Sequence, residues 1–177
     1  MAEFGANYPC FKPKDATRGV VTGKLVSANL TVNSASGELF ADDSLAEQIT
    51  EFASGSLAME TDDMLDSVAS VIYGCTVTAG EVTFNKDDTA PEGELAYYKV
   101  LLRKGVKYYK AYYYPRVRAA LGNDNAQTRG SSITFQTTSI TFTVFADDNG
   151  DWRKTKTFET PAEAVEYINS KCSIVSS

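Results

Sequence analysis

The sequence predicts a mainly β, α+β fold: one domain built as a two-sheet β-sandwich or small barrel with two flanking helices. Three observations lead there. Strand-length segments of alternating polarity recur along the chain, whereas only two segments carry apolar residues at helical spacing. The aromatic set, 10 Tyr and 9 Phe against a single Trp, suits the pleated surface of a sheet. At 177 residues the chain has room for one sizeable core but not for two.

Tyr8–Pro13 contains two prolines that exclude a helix and interrupt a ladder, so residues 1–19 read as an extended N-terminal arm. From Gly23 to Val32 the pattern alternates, with Val26, Ala28, Leu30 and Val32 opposed to Ser27, Asn29 and Thr31. A turn at Asn33–Gly37 and a short strand Glu38–Ala41 complete a predicted hairpin with one wet face. Asp42–Gly55 reads as a loop or helical turn around Leu45, Ile49 and Phe52. Thr61-Asp62-Asp63 should open a helix carrying Met64, Leu65, Val68, Ala69 and Ile72 on one stripe, stopped by Gly74.

Strands follow at Cys75–Thr78 and Glu81–Phe84, and then a long hairpin, Glu94–Arg103 and Val106–Arg118, turning at Lys104-Gly105. Pro115 should put an edge or a bulge in its second arm. After a polar loop at 119–130, a strand Ser131–Phe145 changes phase near Thr137–Ser139, which implies a bulge or a strand passing between sheets. Asp147–Gly150 reads as a hairpin turn with Trp152–Phe158 returning. Thr160 and Glu163 form a capping box around Pro161 and open a helix over 160–172, followed by a tail at 173–177 expected to fray.

Composition narrows the chemistry. Histidine is absent, which removes His-based triads, His general bases and His-ligated metals. Cys10, Cys75 and Cys172 are too far apart for a metal or redox motif and read as free, partly buried thiols of a protein made in a reducing cytoplasm. Met1–Gly5 lacks the basic and apolar regions of a secretory signal, and no apolar run is long enough to span a bilayer. A net charge of −6 supplies no basic footprint for gripping phosphate. Asp147, Asp148 and Asp151 suggest part of a calcium loop, but without its terminal Glu they read as a turn. Asp62, Asp63 and Asp66 read as a solvated helix start rather than an acid/base pair. No catalytic residue, cofactor site or metal site is expected.

The run Tyr108–Arg118 interleaves aromatic and cationic residues, as a stacking platform for nucleic acid or sugar would. Tyrosine on both parities of one strand favours packing or a subunit interface instead, and Tyr108, Tyr112, Tyr113 and Tyr114 are its candidates.

The stretches Met-Ala-Glu-Phe-Gly-Ala-Asn-Tyr at the start, Gly23–Asn33, Ala53–Asp63 and above all Tyr114–Thr138 resemble the major tail proteins of siphophages and prophages of Gram-positive bacteria. The resemblance covers nearly the whole chain and is one of overall wording, so it implies a role and a fold rather than catalytic residues. It implies a fold of the phage tail-tube type, in which hexameric rings join their inner sheets around a lumen and stack into the tail tube. The partners implied are further copies of the chain, a tape-measure protein, tail-tip and terminator proteins, and DNA in passage. The place implied is the virion, after assembly in the host cytoplasm, with no membrane contact. Alternation then makes Ser27, Asn29 and Thr31, with Glu38 on the partner strand, the candidate lumen-facing residues. The alternative expectation is a monomeric β-sandwich module that binds carbohydrate or a receptor through the tyrosine-rich strand.

Overall fold

A computed structural model describes residues 2–41, 44–121 and 137–175. It is mainly β, with one large antiparallel sheet, a small two-stranded sheet and two helices. The strands are β1 (Ala2–Pro13), β2 (Val20–Val21), β3 (Leu25–Ala41), β4 (Ser44–Thr61), β5 (Thr76–Thr78), β6 (Glu81–Thr83), β7 (Glu92–Arg103), β8 (Val106–Ala120), β9 (Thr138–Val144) and β10 (Lys154–Phe158). The helices are α1 (Asp66–Tyr73) and α2 (Pro161–Cys172). The large sheet runs β2-β1-β7-β8-β9-β4-β3, and β10 also pairs with β8.

Strand β8 organises the sheet. One of its edges is paired with β7 almost throughout. The other pairs with β10 over Tyr109–Tyr113 and with β9 over Val117–Ala120. Between these stretches the β7 register skips from Gly93↔Val117 to Leu95↔Tyr114, so Pro115 and Arg116 face the single residue Glu94. This is the bulge expected at Pro115, placed where a missing N–H costs no ladder bond. It divides the sheet into two leaves, β2-β1-β7-β8-β10 and β8-β9-β4-β3. The leaves pack face to face, and Phe11 of β1 meets Phe142 of β9 with ring centroids 5.6 Å apart. Leu57, Met59, Ile140, Phe142 and Val144 from one leaf and Leu95, Tyr97 and Tyr114 from the other are fully or almost fully buried between them.

Both helices close this core. From α1, Val68, Ala69 and Ile72 enter it. α2 covers the outer face of the first leaf, burying Ala164, Ile168 and Cys172 against Cys10, Ala96, Ala111 and Tyr113. Its N-terminus has the expected capping box: Thr160 Oγ1 accepts from the Glu163 N–H, and the Glu163 carboxylate accepts from the Thr160 N–H. The Lys104-Gly105 turn joins β7 and β8 with φ of 49° and 81°, as a two-residue hairpin turn requires. All three cysteines are free and buried. Burial raises the Cys172 thiol pKa to about 12.

Several sequence expectations need correction. The N-terminal arm is not free: β1 pairs with β7 and β2, and a register shift between Asn7 and Cys10 takes up Pro9. The predicted turn at 33–37 and loop at 42–55 belong instead to β3 and β4, strands of 17 and 18 residues. Residues 33–38 and 47–51 are exposed on both faces, so the alternating signal is lost there. α1 begins at Asp66 rather than Thr61. Upstream, the Asp62 carboxylate accepts from the Lys24 and Asp63 N–H groups, which fixes a turn instead of a helix start.

The turn Asp147–Gly150 forms, with Asp147 Oδ1 accepting from the Asn149 and Asp151 N–H groups, yet it makes no hairpin. Because β9 and β10 are each antiparallel to β8, they run in the same direction, and Phe145–Arg153 is an excursion between two stretches of one line. Passage from leaf to leaf lies at Pro115 and in this excursion; the phase change expected near Thr137–Ser139 rests in part on residues 131–136, which lie outside the described residues. Ile133, Phe135 and most of the predicted loop at 119–130 lie outside the described residues; Ala119 and Ala120 belong to β8.

Gly93 sits opposite the bulge. A Cβ there would overlap the Lys12 carbonyl oxygen and come within 2.7 Å of the Phe11 ring. Gly93→Ala is accordingly expected to destabilise the fold by about 1–3 kcal/mol, measured as a lower urea midpoint. An unchanged midpoint would show that β1 can move away freely.

Candidate functional site

The second leaf has one face in the core and one in water. Cross-strand register aligns Leu30, Leu57, Phe142 and Ala119 on the core face, and Asn29, Ala58, Thr141 and Ala120 one position along on the other. Neighbouring rows on the wet face are Thr31, Ser56, Thr143 and Arg118, then Ser27, Glu60 and Ser139. The result is a polar wall, four strands wide, of small uncharged side chains with two charges in it. β-branched threonines hold the extended backbone while the apolar partners of the same strands are buried.

The cation on this wall is paired with a carboxylate beside it. Arg118 Nη2 lies 3.2 Å from Glu92 Oε1. Arg116 donates to both carboxylate oxygens of Glu92, from Nε at 3.1 Å and from Nη2 at 3.0 Å. The Arg116 hydrogen bonds hold the Glu92 carboxyl below its usual pKa. A charged cleft of about 380 Å³ adjoins the bulge, lined in part by Lys12, Glu94, Tyr113, Arg116 and Lys171. Within it Lys12 reaches Glu94 at 3.4 Å, and the Tyr113 hydroxyl donates to Glu94 at 2.6 Å. Among the described residues no group of three or more Cys, Asp or Glu is placed to hold a metal ion.

Of the residues selected from alternation, Ser27, Asn29 and Thr31 share the polar wall. Glu38 does not. The hairpin reverses after Ala41, so Glu38 lies on β3 itself, where strict alternation puts it on the opposite face; there it accepts a hydrogen bond from Gln48 at 3.3 Å. Ser56, Ala58 and Glu60 on β4 and Thr141 and Thr143 on β9 complete the wall and were missed. The β9 partners were legible as the complement of the apolar series Ile140, Phe142 and Val144.

The tyrosines have a different location from the one expected of an interface. Tyr114 is fully buried and Tyr112 and Tyr113 nearly so, all within the single chain. Tyr112 and Tyr114 face the core, stacked on Tyr97 with centroids 5.3 and 6.2 Å away. The Tyr97 and Tyr114 hydroxyls are 3.3 Å apart. Tyr113 points the other way, beneath α2. Burial raises the pKa of all three hydroxyls, and the Glu94 carboxylate raises that of Tyr113 further. Two parities of tyrosine did demand two covers, but the core and α2 supply them. Only Tyr108 remains partly exposed, with the Arg103 guanidinium 5.7 Å from its ring centroid.

No protein-family model matches the chain, and no curated protein is significantly similar to it. Among the described residues no helix is long and apolar enough to cross a membrane.

Two substitutions separate the faces. Tyr114→Ala removes a buried ring and orphans the Tyr97 hydroxyl, so a loss of roughly 3–5 kcal/mol in unfolding free energy is expected. Thr141→Lys places its charge on the wet wall and should change stability by only about 0.5 kcal/mol. Equal destabilisation by both, in chemical denaturation, would contradict this assignment of faces.

Proposed function

We propose that the chain is a structural subunit of a tube: the major tail protein of a long-tailed phage of the siphophage type, closing into hexameric rings that stack. The observation that carries this reading is the second leaf, whose outer face is polar, small and almost free of net charge over four strands. Such a wall, turned inward around a lumen, would let DNA slide past without engaging its phosphates, because among the described residues its one cation, Arg118, is paired with Glu92. The open edge of β3 supports the same reading. Among the described residues this 17-residue strand pairs only with β4, and a long free edge is a template for another chain. Lateral pairing of leaves from successive copies removes that edge, as ring closure does in any cyclic sheet.

In this mechanism the protein polymerises and conducts rather than catalyses. The core face gives each leaf rigidity, the edge gives lateral contacts, and the polar face lines the conduit. A tape-measure protein would set tube length, and tip and terminator proteins would cap the ends. The alternative, a monomeric recognition module, rested on an accessible tyrosine platform, and burial of Tyr112, Tyr113 and Tyr114 speaks against it.

Negative-stain microscopy of the purified protein, concentrated and incubated at length, is expected to show rings or tubes of uniform width. A monodisperse monomer that forms no rings under any condition would overturn the reading.

A further inference from the structure

The chain segregates its charges. Between Lys24 and Lys86 there is no Lys or Arg, but ten carboxylates: Glu38, Asp42, Asp43, Glu47, Glu51, Glu60, Asp62, Asp63, Asp66 and Glu81. Five of them fall within the outer part of the β3–β4 hairpin or between its two strands. That part of the hairpin projects beyond the sheet, because the β9 ladder on β4 stops at Gly55. Residues 33–38 and 47–51 are exposed on both faces. A two-stranded ribbon without a third strand or a covered face is marginal in water.

The complementary charge sits on the first leaf, beyond the part covered by the second. Lys99 and Lys110 lie over the Tyr112 ring with Nζ 5.3 and 5.4 Å from its centroid, and the Arg153 guanidinium is 6.0 Å from it. Arg103 extends the same ridge over Tyr108. Lys99 and Lys110 are direct cross-strand neighbours, an arrangement that like charges disfavour. Among the described residues the only ion pair on the ridge is Lys99 with Glu3, at 3.9 Å. None of the described ion pairs joins the hairpin to the ridge within one chain.

We propose that the ridge formed by Lys99, Arg103, Lys110 and Arg153 is the docking surface for the acidic β3–β4 hairpin of a second copy. This rests on the self-assembly reading only in taking a second copy as the occupant. The buried Tyr112 ring holds Lys99 and Lys110 in place from beneath, and desolvation on docking strengthens the charge pairing. Contact with a neighbour covers both features the single chain leaves unsatisfied: the repelling lysines and the bare ribbon. Charge opposition also fixes direction, hairpin of one copy onto ridge of the next, which makes the contact head-to-tail.

Full-length variants test this by sedimentation velocity across a salt series. Lys99→Glu/Lys110→Glu reverses the ridge, and Glu47→Lys/Glu51→Lys reverses the hairpin. Each alone should self-associate at least about tenfold more weakly than the parent chain, and an equimolar mixture of the two should regain association. The parent's association should itself weaken as salt rises, because screening acts on exposed charges. A thermal midpoint for each variant close to the parent's separates loss of docking from loss of fold. Association insensitive to salt and to both reversals overturns the proposal, even if tubes form. A mixture that fails to recover overturns it too, as does a parent chain that stays monomeric because the charges compensate within one molecule. Recovery in the mixture as dimers or open chains, without rings, supports the docking and sinks only the tube.

Discussion

Tyr112, Tyr113 and Tyr114 occupy successive positions of β8 and therefore point to alternate faces, so neither face of that strand can be left wet. Covering one face requires the second leaf to fold back over the first, and covering the other requires α2. The polypeptide meets both demands with one device, the bulge at Pro115. There β8 exchanges its partner β10 for β9, and the sheet turns from one leaf into the other. Gly93 opposite the bulge allows β1 to approach closely, and the Tyr97–Tyr114 hydroxyl pair satisfies polar atoms that burial would otherwise orphan. The first leaf is thus sealed on two sides and is the rigid part of the molecule.

The second leaf inherits a core on one side only, and its freedom follows from that asymmetry. Its inward residues are constrained by Phe11, Tyr97 and α1, while its outward residues face away from that core. What occupies those outward positions is a selection of Ser, Thr, Asn and Ala with Glu60 and a neutralised Arg118. An ordinary solvated face would be expected to carry scattered lysines and glutamates. Small, uncharged and β-compatible side chains give that face few groups able to hold a phosphate.

The sequence was readable wherever burial imposed a period. The β7–β8 hairpin with its Lys-Gly turn, the Pro115 bulge, the capping box of α2 and the alternation of β9 were each predictable to within a few residues. In the first half of β3, by contrast, Ala28 and Leu30 turn toward the core but Val26 and Val32 are exposed. The outer β3–β4 hairpin was not predictable, because strands wet on both faces have no apolar period to display. Asp42–Gly55 reads as a loop or helical turn from the spacing of Leu45, Ile49 and Phe52. Ile49 is in fact exposed, and Phe52 stacks on Trp152 at 4.5 Å, a pairing from a distant part of the chain. Glu38 was misplaced for the same reason, since a reversal put at 33–37 moves it to the wrong strand. The tyrosines failed in the opposite way: the need for two covers was correct, but nothing local in the sequence distinguishes a helix of the same chain from a neighbouring subunit.

Surfaces that are buried only on assembly therefore leave a different trace from surfaces buried on folding. Apolar periodicity records the second kind, because the unfolded chain must find its core unaided. For the first kind the chain must stay soluble as a monomer, and a strongly apolar docking face would work against that. Segregated charge avoids the conflict: an acidic ribbon and a basic ridge are each well solvated alone and attract only when two copies meet. The 61 residues between Lys24 and Lys86 without a single cation are a signal of this sort, visible in the sequence yet silent in any reading of helices and strands. In the fold five of its carboxylates belong to the outer β3–β4 hairpin, while Lys99, Lys110 and Arg153 gather around Tyr112. A net charge of −6 then describes two opposed surfaces rather than one uniformly acidic protein.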